Sequence, residues 1–252
     1  MSGLSRSRPA YPLTANPPDA FVIEFTGIAG TGKTAIADRV RVLLQDAGVP
    51  CGPARIKNRV LIRSLFSPCR IFRASMAFLP FAQARSRARP GTLESWWRWV
   101  RTQTRLWGYH SVPGLHLLDH GFFQTFRSIY PGCSKRGMYW LAHQLAQHSR
   151  MPHLVVFLEA DPAAIIERRR GRHKHLGPLE LDPAMVRRSV DRMPQYREVV
   201  LRIAAERDDL EVMILENGSG VDPDTAAAAV ADRILALTGT GLIRPLGQVH
   251  EM

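Results

Sequence analysis

Cysteine is nearly absent. The chain has three, Cys51, Cys69 and Cys133. An odd number without a CxxC pair excludes a disulfide framework and a cysteine-held zinc site. Long apolar runs are missing too: nothing approaches the roughly 18 residues of a membrane span, and no charged-then-apolar leader opens the sequence. Lysine is scarce, at four residues, although 34 basic side chains face 22 acids for a net charge of +12. What remains is ordinary composition, 45% apolar and 22% charged, which excludes wholesale disorder. With 252 residues and about 150 per domain, one domain with an insertion is expected, soluble and cytoplasmic.

Acids are lacking from one stretch in particular. From Arg55 to Arg105 there are twelve basic residues and a single acid, Glu94. Nearly all the excess charge lies in that fifth of the chain, which is expected to form a positive surface for an anionic partner.

Residues 1–19, rich in Ser, Pro and Arg, read as a flexible arm, and 239–252 as a tail. Between them, FVIEFTG (21–27) reads as a buried strand and TAIADRVRVLLQDAG (34–48) as an amphipathic helix closing at Gly48. A weak strand is expected near Cys51–Ile56. Residues 59–112 read as helical, interrupted by Pro68, Pro80 and Pro90. HLLD (116–119) reads as a short strand, followed by helices near 122–129 and 136–148. HLVVFLEA (153–160) is a strand, ERRRGRHKHLG (167–177) a basic helix and loop, and 182–206 one long helix. LEVMILE (210–216) and TAAAAVADRILAL (225–237) supply the last strand and helix. Strands alternating with helices predict a three-layer α/β domain over 20–238, with a parallel five-stranded sheet and crossover helices.

The strongest motif is GIAGTGKT, Gly27 to Thr34, which satisfies G-x-x-x-x-G-K-[ST] between a predicted strand and helix. Gly27, Gly30 and Gly32 let the backbone turn its N–H groups inward, with Ala29 and Thr31 completing the cradle. The helix starting near Lys33 aims its positive end at the same phosphates. Lys33 reaches the β and γ phosphates of ATP, and the Thr34 hydroxyl ligates Mg²⁺. Two marks of other P-loop branches are missing. No N-K-x-D follows a later strand, as guanine-reading switches require. Asp119 is followed by His120 rather than the Glu of motor-like ATPases.

Beyond the loop, HLLDHGFFQ resembles the strand of thymidylate-kinase-like small kinases in which Asp-Arg follows an apolar run. VVFLEADPAAIIERRRGR resembles their later strand, helix and arginine-bearing lid, here 167–180. VRRSVDRMPQYREVV resembles the helix after the lid, and MILENGSGVDPDTAAAAVADRIL their last strand and helix. The resemblance covers roughly residues 20–238 and implies a P-loop kinase using ATP and Mg²⁺, with room for a homodimer. It implies Asp119 as the carboxylate that orders Mg²⁺ or the nucleophile. Arg168 and Arg172 are implied as lid arginines closing over the phosphates.

Phosphoryl transfer independently requires positive charge around the γ-phosphate beyond Lys33 and Mg²⁺, and Arg168, Arg169, Arg170, Arg172 and His173 offer it. A solvated basic helix end is the plainer reading of that run. The HKH spacing there has no companion ligands, so no zinc is assigned. The chain departs from the family pattern twice. His120 replaces the acceptor-phosphate arginine, and Thr26 stands where related nucleoside kinases carry a carboxylate. Glu24, two residues earlier on the same strand face, is the nearest acid. Glu24 is then either an acceptor contact or a satisfied core residue, and Asp119 either a functional acid or a cap for the next helix.

The segment 55–112 occupies the place where small kinases carry acceptor-binding helices. WWRWVRTQTRLW sets four tryptophans at helical spacing with Arg98, Arg101 and Arg105 among them. Aromatics stacking a ring and arginines gripping an anion would make it an acceptor pocket. It could equally track nucleic acid, lie on a membrane surface, or be an ordinary helical face. The expected function is an ATP- and Mg²⁺-dependent kinase for a small anionic or aromatic acceptor, with Glu24, Arg55, Arg98 and His120 as candidate acceptor contacts. The rival of another class is a nucleic-acid-binding ATPase or polynucleotide kinase using the 55–105 surface.

Overall fold

All eight residues of β1 (Ala20–Gly27) are buried, as an apolar run flanked on both faces requires. The chain is described by a computed structural model over residues 20–52, parts of 69–78, 92–129, 135–171 and 182–238. Within that span β1 is the middle of a parallel sheet ordered β2-β3-β1-β4-β5. β3 (Gly114–Leu118) places Leu118 opposite Glu24, and β4 (Leu154–Glu159) places Phe157 opposite Thr26. β5 (Glu211–Glu216) closes one edge and β2 (Cys51–Gly52) the other. Against the expected five strands, the sheet has four of five to eight residues and one edge strand of two. Residues 53–56, read as part of that weak strand, lie outside the described residues.

The helices are α1 (Lys33–Asp46), α2 (Thr92–His110), α3 (Phe122–Ile129), α4 (Lys135–Gln147), α5 (Pro162–Arg170), α6 (Pro183–Asp191), α7 (Met193–Ala205) and α8 (Pro223–Thr238). Alternation along β1 builds two cores. Phe21, Ile23 and Phe25 pack with Ile36 and Val40 of α1 and Val230 and Ile234 of α8. Val22 packs on the opposite side with Trp99 of α2, Phe122 and Phe126 of α3, Leu141 of α4 and Val200 of α7. Glu24 and Thr26 share that second face and are both fully buried.

The long helix expected over 182–206 is two helices, broken at Arg192. Pro194 falls in the first turn of α7 and has no N–H to continue a ladder from α6. Asp182 starts α6 by accepting from the Ala184 amide at 2.9 Å. The tryptophans of α2 divide between core and surface. Trp99 is fully buried and its Nε1 donates to the Ala74 carbonyl at 3.1 Å, while Trp97 is 48% exposed. Trp96 and Trp107 lie between these extremes, so one of the four tryptophans is fully core.

Gln103 of α2 is 1% exposed, and neither amide atom has a hydrogen-bond partner among the described residues. A buried, unsatisfied amide costs about 1–3 kcal/mol. Gln103→Met, similar in length and without polar hydrogens, should therefore stabilise the domain by about 1 kcal/mol and raise Tm by about 2–4 °C. Differential scanning calorimetry reads this directly, and a lowered Tm would contradict it. Among the described residues, no helix is long and apolar enough to cross a membrane.

Candidate active site

The carboxyl ends of β1, β3, β4 and β5 meet on one edge of the sheet, where α/β proteins place their ligands. β1 runs into the loop 28–32 and then α1. Gly27, Gly30 and Gly32 have φ of 149°, 97° and 90°. Gly32 caps α1 without any side-chain hydrogen bond, and helix starts of this kind present amides to anions. A Cβ on Gly32 would stand 2.5 Å from Asn217 Nδ2 in addition to the strained φ. Thr31 Oγ1 donates to the Ile28 carbonyl at 2.9 Å, and Lys33 Nζ donates to Gly27 O at 3.0 Å and Ile28 O at 2.8 Å. Ala29 and Thr34 are exposed, whereas Gly30 and Thr31 are buried.

Residues from β4 and β5 pin this loop. Asn217, just past β5 and 2% exposed, donates from Nδ2 to the Thr31 carbonyl at 2.7 Å. Asp161 accepts from the Ala164 amide at 2.8 Å, capping α5, and from the Ser219 amide at 2.8 Å. Those amides hold its carboxyl below the usual range. Arg168 donates to Asn217 O at 2.8 Å and Gly218 O at 3.4 Å, and lies 3.5 Å from Thr31 O. Arg169 donates twice to the Ala29 carbonyl, at 3.0 and 2.8 Å. Both arginines thus sit against the backbone of the phosphate loop and its neighbour. Arg172, and with it 172–181 of the lid, lies outside the described residues. Asn217 was not singled out from the sequence; an Asn-Gly directly after a strand was its one signal.

Asp119 emerges from the end of β3 exposed, and its carboxylate makes no hydrogen bond or ion pair among the described residues. The cap of α3 is Glu24 instead. Its Oε1 accepts from the Gln124 amide at 2.7 Å and its Oε2 from the Phe123 amide at 3.2 Å. Glu24 is therefore the satisfied core carboxylate of the two sequence alternatives, fully buried beneath the loop. Burial raises its pKa to about 7, against the lowering effect of those amides. A Cβ on Gly121 would come 2.3 Å from Glu24 Oε2, so only glycine fits where the helix meets the carboxylate. His120 is exposed and its Nδ1 donates to the Asp119 carbonyl at 2.7 Å.

Gln124 joins α3 to the loop: with its amide turned so that oxygen faces donors and nitrogen faces acceptors, the nitrogen donates to Gly27 O at 2.9 Å and the oxygen accepts from Arg127 Nη2 at 3.1 Å. Tyr196 of α7 closes the same region, bonding the Phe123 carbonyl through its hydroxyl and approaching Thr26 Oγ1 at 3.4 Å. Burial pushes that hydroxyl's pKa far up, so it remains a neutral donor.

Beside the loop lies a cleft of about 450 Å³, lined by Ile28, Leu158, Val190 and Met193 among apolar residues. Glu159 and Arg197 form an ion pair at 2.9 Å in its wall. Arg98 stands on α2, 56% exposed at its side chain and paired with Glu94 at 2.6 Å one turn back. Arg55 lies outside the described residues. The sheet edge thus brings together the loop, Asp119 and His120, but commits Glu24 to α3 and Arg98 to a surface pair.

The residues present fit Mg²⁺ with a nucleotide. Thr34 and Asp119 are both exposed, and no group of three or more His, Cys, Asp or Glu forms a metal cage among the described residues. Mg²⁺ on phosphates takes only one or two protein ligands, the rest being water and substrate oxygens. Fold and loop together define an α/β domain with a glycine-rich G-x-x-x-x-G-K-T loop at the end of its central strand. No protein-family profile matches the chain, and no curated protein matches it by sequence. Among solved structures, the shikimate kinase from Acinetobacter baumannii in complex with shikimate aligns at 20% identity and a TM-score of 0.42, over 87% of this chain and 93% of that one. So distant a likeness says nothing of what this chain binds.

Proposed function

We propose that the chain is an ATP- and Mg²⁺-dependent phosphotransferase, a P-loop small kinase of the thymidylate-kinase-like group. It moves the γ-phosphoryl group to a hydroxyl or phosphate of a small acceptor. The observation that carries this reading is the pairing of an uncapped helix start in the phosphate loop with an exposed, unpaired carboxylate, Asp119, at the end of the neighbouring strand.

In this reading an acceptor oxygen attacks the γ-phosphorus and the bond to the β–γ bridging oxygen breaks, leaving ADP. The loop amides and Lys33 hold the phosphates and stabilise the charge that spreads over the transferring group. Thr34 and Asp119 would hold Mg²⁺, which would supply positive charge to offset that of the phosphates. Asp119 also stands where a hydroxyl acceptor's proton would be taken. Arg168 and Arg169 stiffen the loop, and Arg172 is the lid arginine proposed to reach the γ-phosphate.

Because Glu24 rather than Asp119 caps α3, activity and stability separate at Asp119. Asp119→Asn should slow turnover at least about tenfold, or 1.4 kcal/mol of barrier, while leaving Tm within about a degree. The assay is ADP release with ATP, Mg²⁺ and a panel of alcohols, sugars and nucleosides, with and without phosphate groups. Acceptor-dependent release supports the kinase. Hydrolysis stimulated by DNA or RNA and indifferent to small acceptors would overturn it in favour of a nucleic-acid-dependent ATPase.

A further inference from the structure

Arg127 projects from the second turn of α3, whose eight residues, FFQTFRSI, include no acid. Its side chain is partly buried and its Nε is sealed from solvent without a hydrogen-bond partner. With the Gln124 amide so turned, its one bond among the described residues is from Nη2 to Gln124 Oε1, at 3.1 Å. Among the described residues no carboxylate lies within ion-pair distance of it. Glu24, the acid nearest along this face, spends both oxygens on the Gln124 and Phe123 amides.

A guanidinium taken out of water without a counter-ion is costly, and the arginines elsewhere show how the fold normally avoids it. Arg197 pairs with Glu159, Arg207 with Asp209 and Arg233 with Glu211. Among the described residues Arg41 also has a sealed Nε without a partner, but it pairs with Asp38; Arg127 has the same idle donor and no carboxylate. Its neighbours are neutral: Gln124, which is bonded in turn to Gly27 of the phosphate loop, and Tyr196 of α7, whose hydroxyl rests on Phe123 O. Burial lowers the pKa of the guanidinium, with Tyr196 acting in the opposite sense.

We propose that Arg127, oriented by Gln124, is the receptor for an oxyanion of the acceptor, a carboxylate or a phosphate. The inference rests on the kinase reading for the word acceptor, but not for the anion site itself. Arginine suits the task because its planar fork binds two oxygens of one anion at once. The site also supplies the positive charge that His120 does not provide after the strand acid. Arg127 then selects anionic acceptors and holds them one helical turn from the base of the phosphate loop.

The test has an arm that needs no substrate. Inorganic phosphate is titrated against Lys33→Ala, which weakens the phosphate loop as a competing anion site, and against Lys33→Ala/Arg127→Met, with Tm as the readout. Arg127→Met should raise Tm by about 3 °C in phosphate-free buffer, because an uncompensated cation is removed. It should also abolish the stabilisation by phosphate that Lys33→Ala retains. Equal phosphate stabilisation of both variants, or a lower Tm on removing the arginine, would overturn the site whether or not the protein is a kinase.

The second arm uses acceptors that share one skeleton and differ in carrying an alcohol, a carboxylate or a phosphate monoester. Wild type should favour one of the two anions, which separates carboxylate from phosphate. Arg127→Met should raise that acceptor's KM about 100-fold, and Arg127→Lys should recover part of it. The KM for ATP should not change. Turnover that ignores acceptor charge in wild type would overturn the proposal while leaving the kinase reading intact. Turnover of none of these acceptors, with phosphate binding still dependent on Arg127, would instead overturn the kinase reading and keep the site.

Discussion

Lys33→Ala should lower kcat for phosphoryl transfer by about 10³-fold or more, roughly 4 kcal/mol of barrier, with the far-UV spectrum unchanged. The ammonium is the one cation that the loop itself contributes, and its bonds to Gly27 O and Ile28 O lie on the ligand side of a partly exposed turn. Losing two bonds from a charged donor costs about 1.5–3 kcal/mol each at most, and less at a partly exposed side chain, which leaves the sheet behind them folded. Arg168 and Arg169 do not replace the ammonium, because they are engaged with backbone carbonyls. Acceptor-dependent ADP release, followed with the thermal melt of the same preparation, checks both halves. Near-normal turnover in that variant would sink the phosphate-loop assignment, and with it the kinase.

Local pattern made the loop legible. Seven positions from Gly27 to Lys33, framed by an apolar run and an amphipathic run, leave few alternatives, and β1, β3, β4, β5, α3 and α8 fall within a residue or two of their expected limits. The residues that hold the loop in place were not legible, since their partners are remote. Asn217 reaches Thr31 across 186 positions, and Glu24 reaches Phe123 across 99. Nothing in either neighbourhood names the other. Glu24 illustrates the point: face and depth could be read from alternation, but capping depends on where α3 begins in space. Arg127 was overlooked because an arginine among phenylalanines resembles a snorkelling surface residue until its burial is known. The break at Arg192 was different, for Pro194 was in plain view. Its effect was underestimated because the apolar spacing on either side suits one continuous helix.

Stability should depend on pH through Glu24 in a direction unusual for a carboxylate. Its pKa rises from 4.5 in the unfolded chain to about 7 in the fold, chiefly because burial disfavours the charge. Between those values the native state binds the extra proton, so this contribution is fully present below about pH 4.5 and is lost as pH rises through 7. The shift corresponds to about 3 kcal/mol. His153 works against it. Burial lowers its pKa from 6.5 to about 4, so its contribution is present above 6.5 and lost as pH falls through 4. The two slopes oppose one another between about pH 4.5 and 6.5, where His110 and His116, also lowered by burial, add to the histidine side. Glu24→Gln removes the opposing slope. The variant should gain at least about 3 kcal/mol of stability from pH 4 to 6.5, more than wild type by the Glu24 contribution, and should stay level from 6.5 to 7.5 while wild type declines. Urea melts of both proteins at half-unit steps of pH give the difference curve, in which the histidine contributions cancel. Parallel curves would mean that Glu24 is already ionised throughout, held by the amides of Phe123 and Gln124 strongly enough to offset its burial.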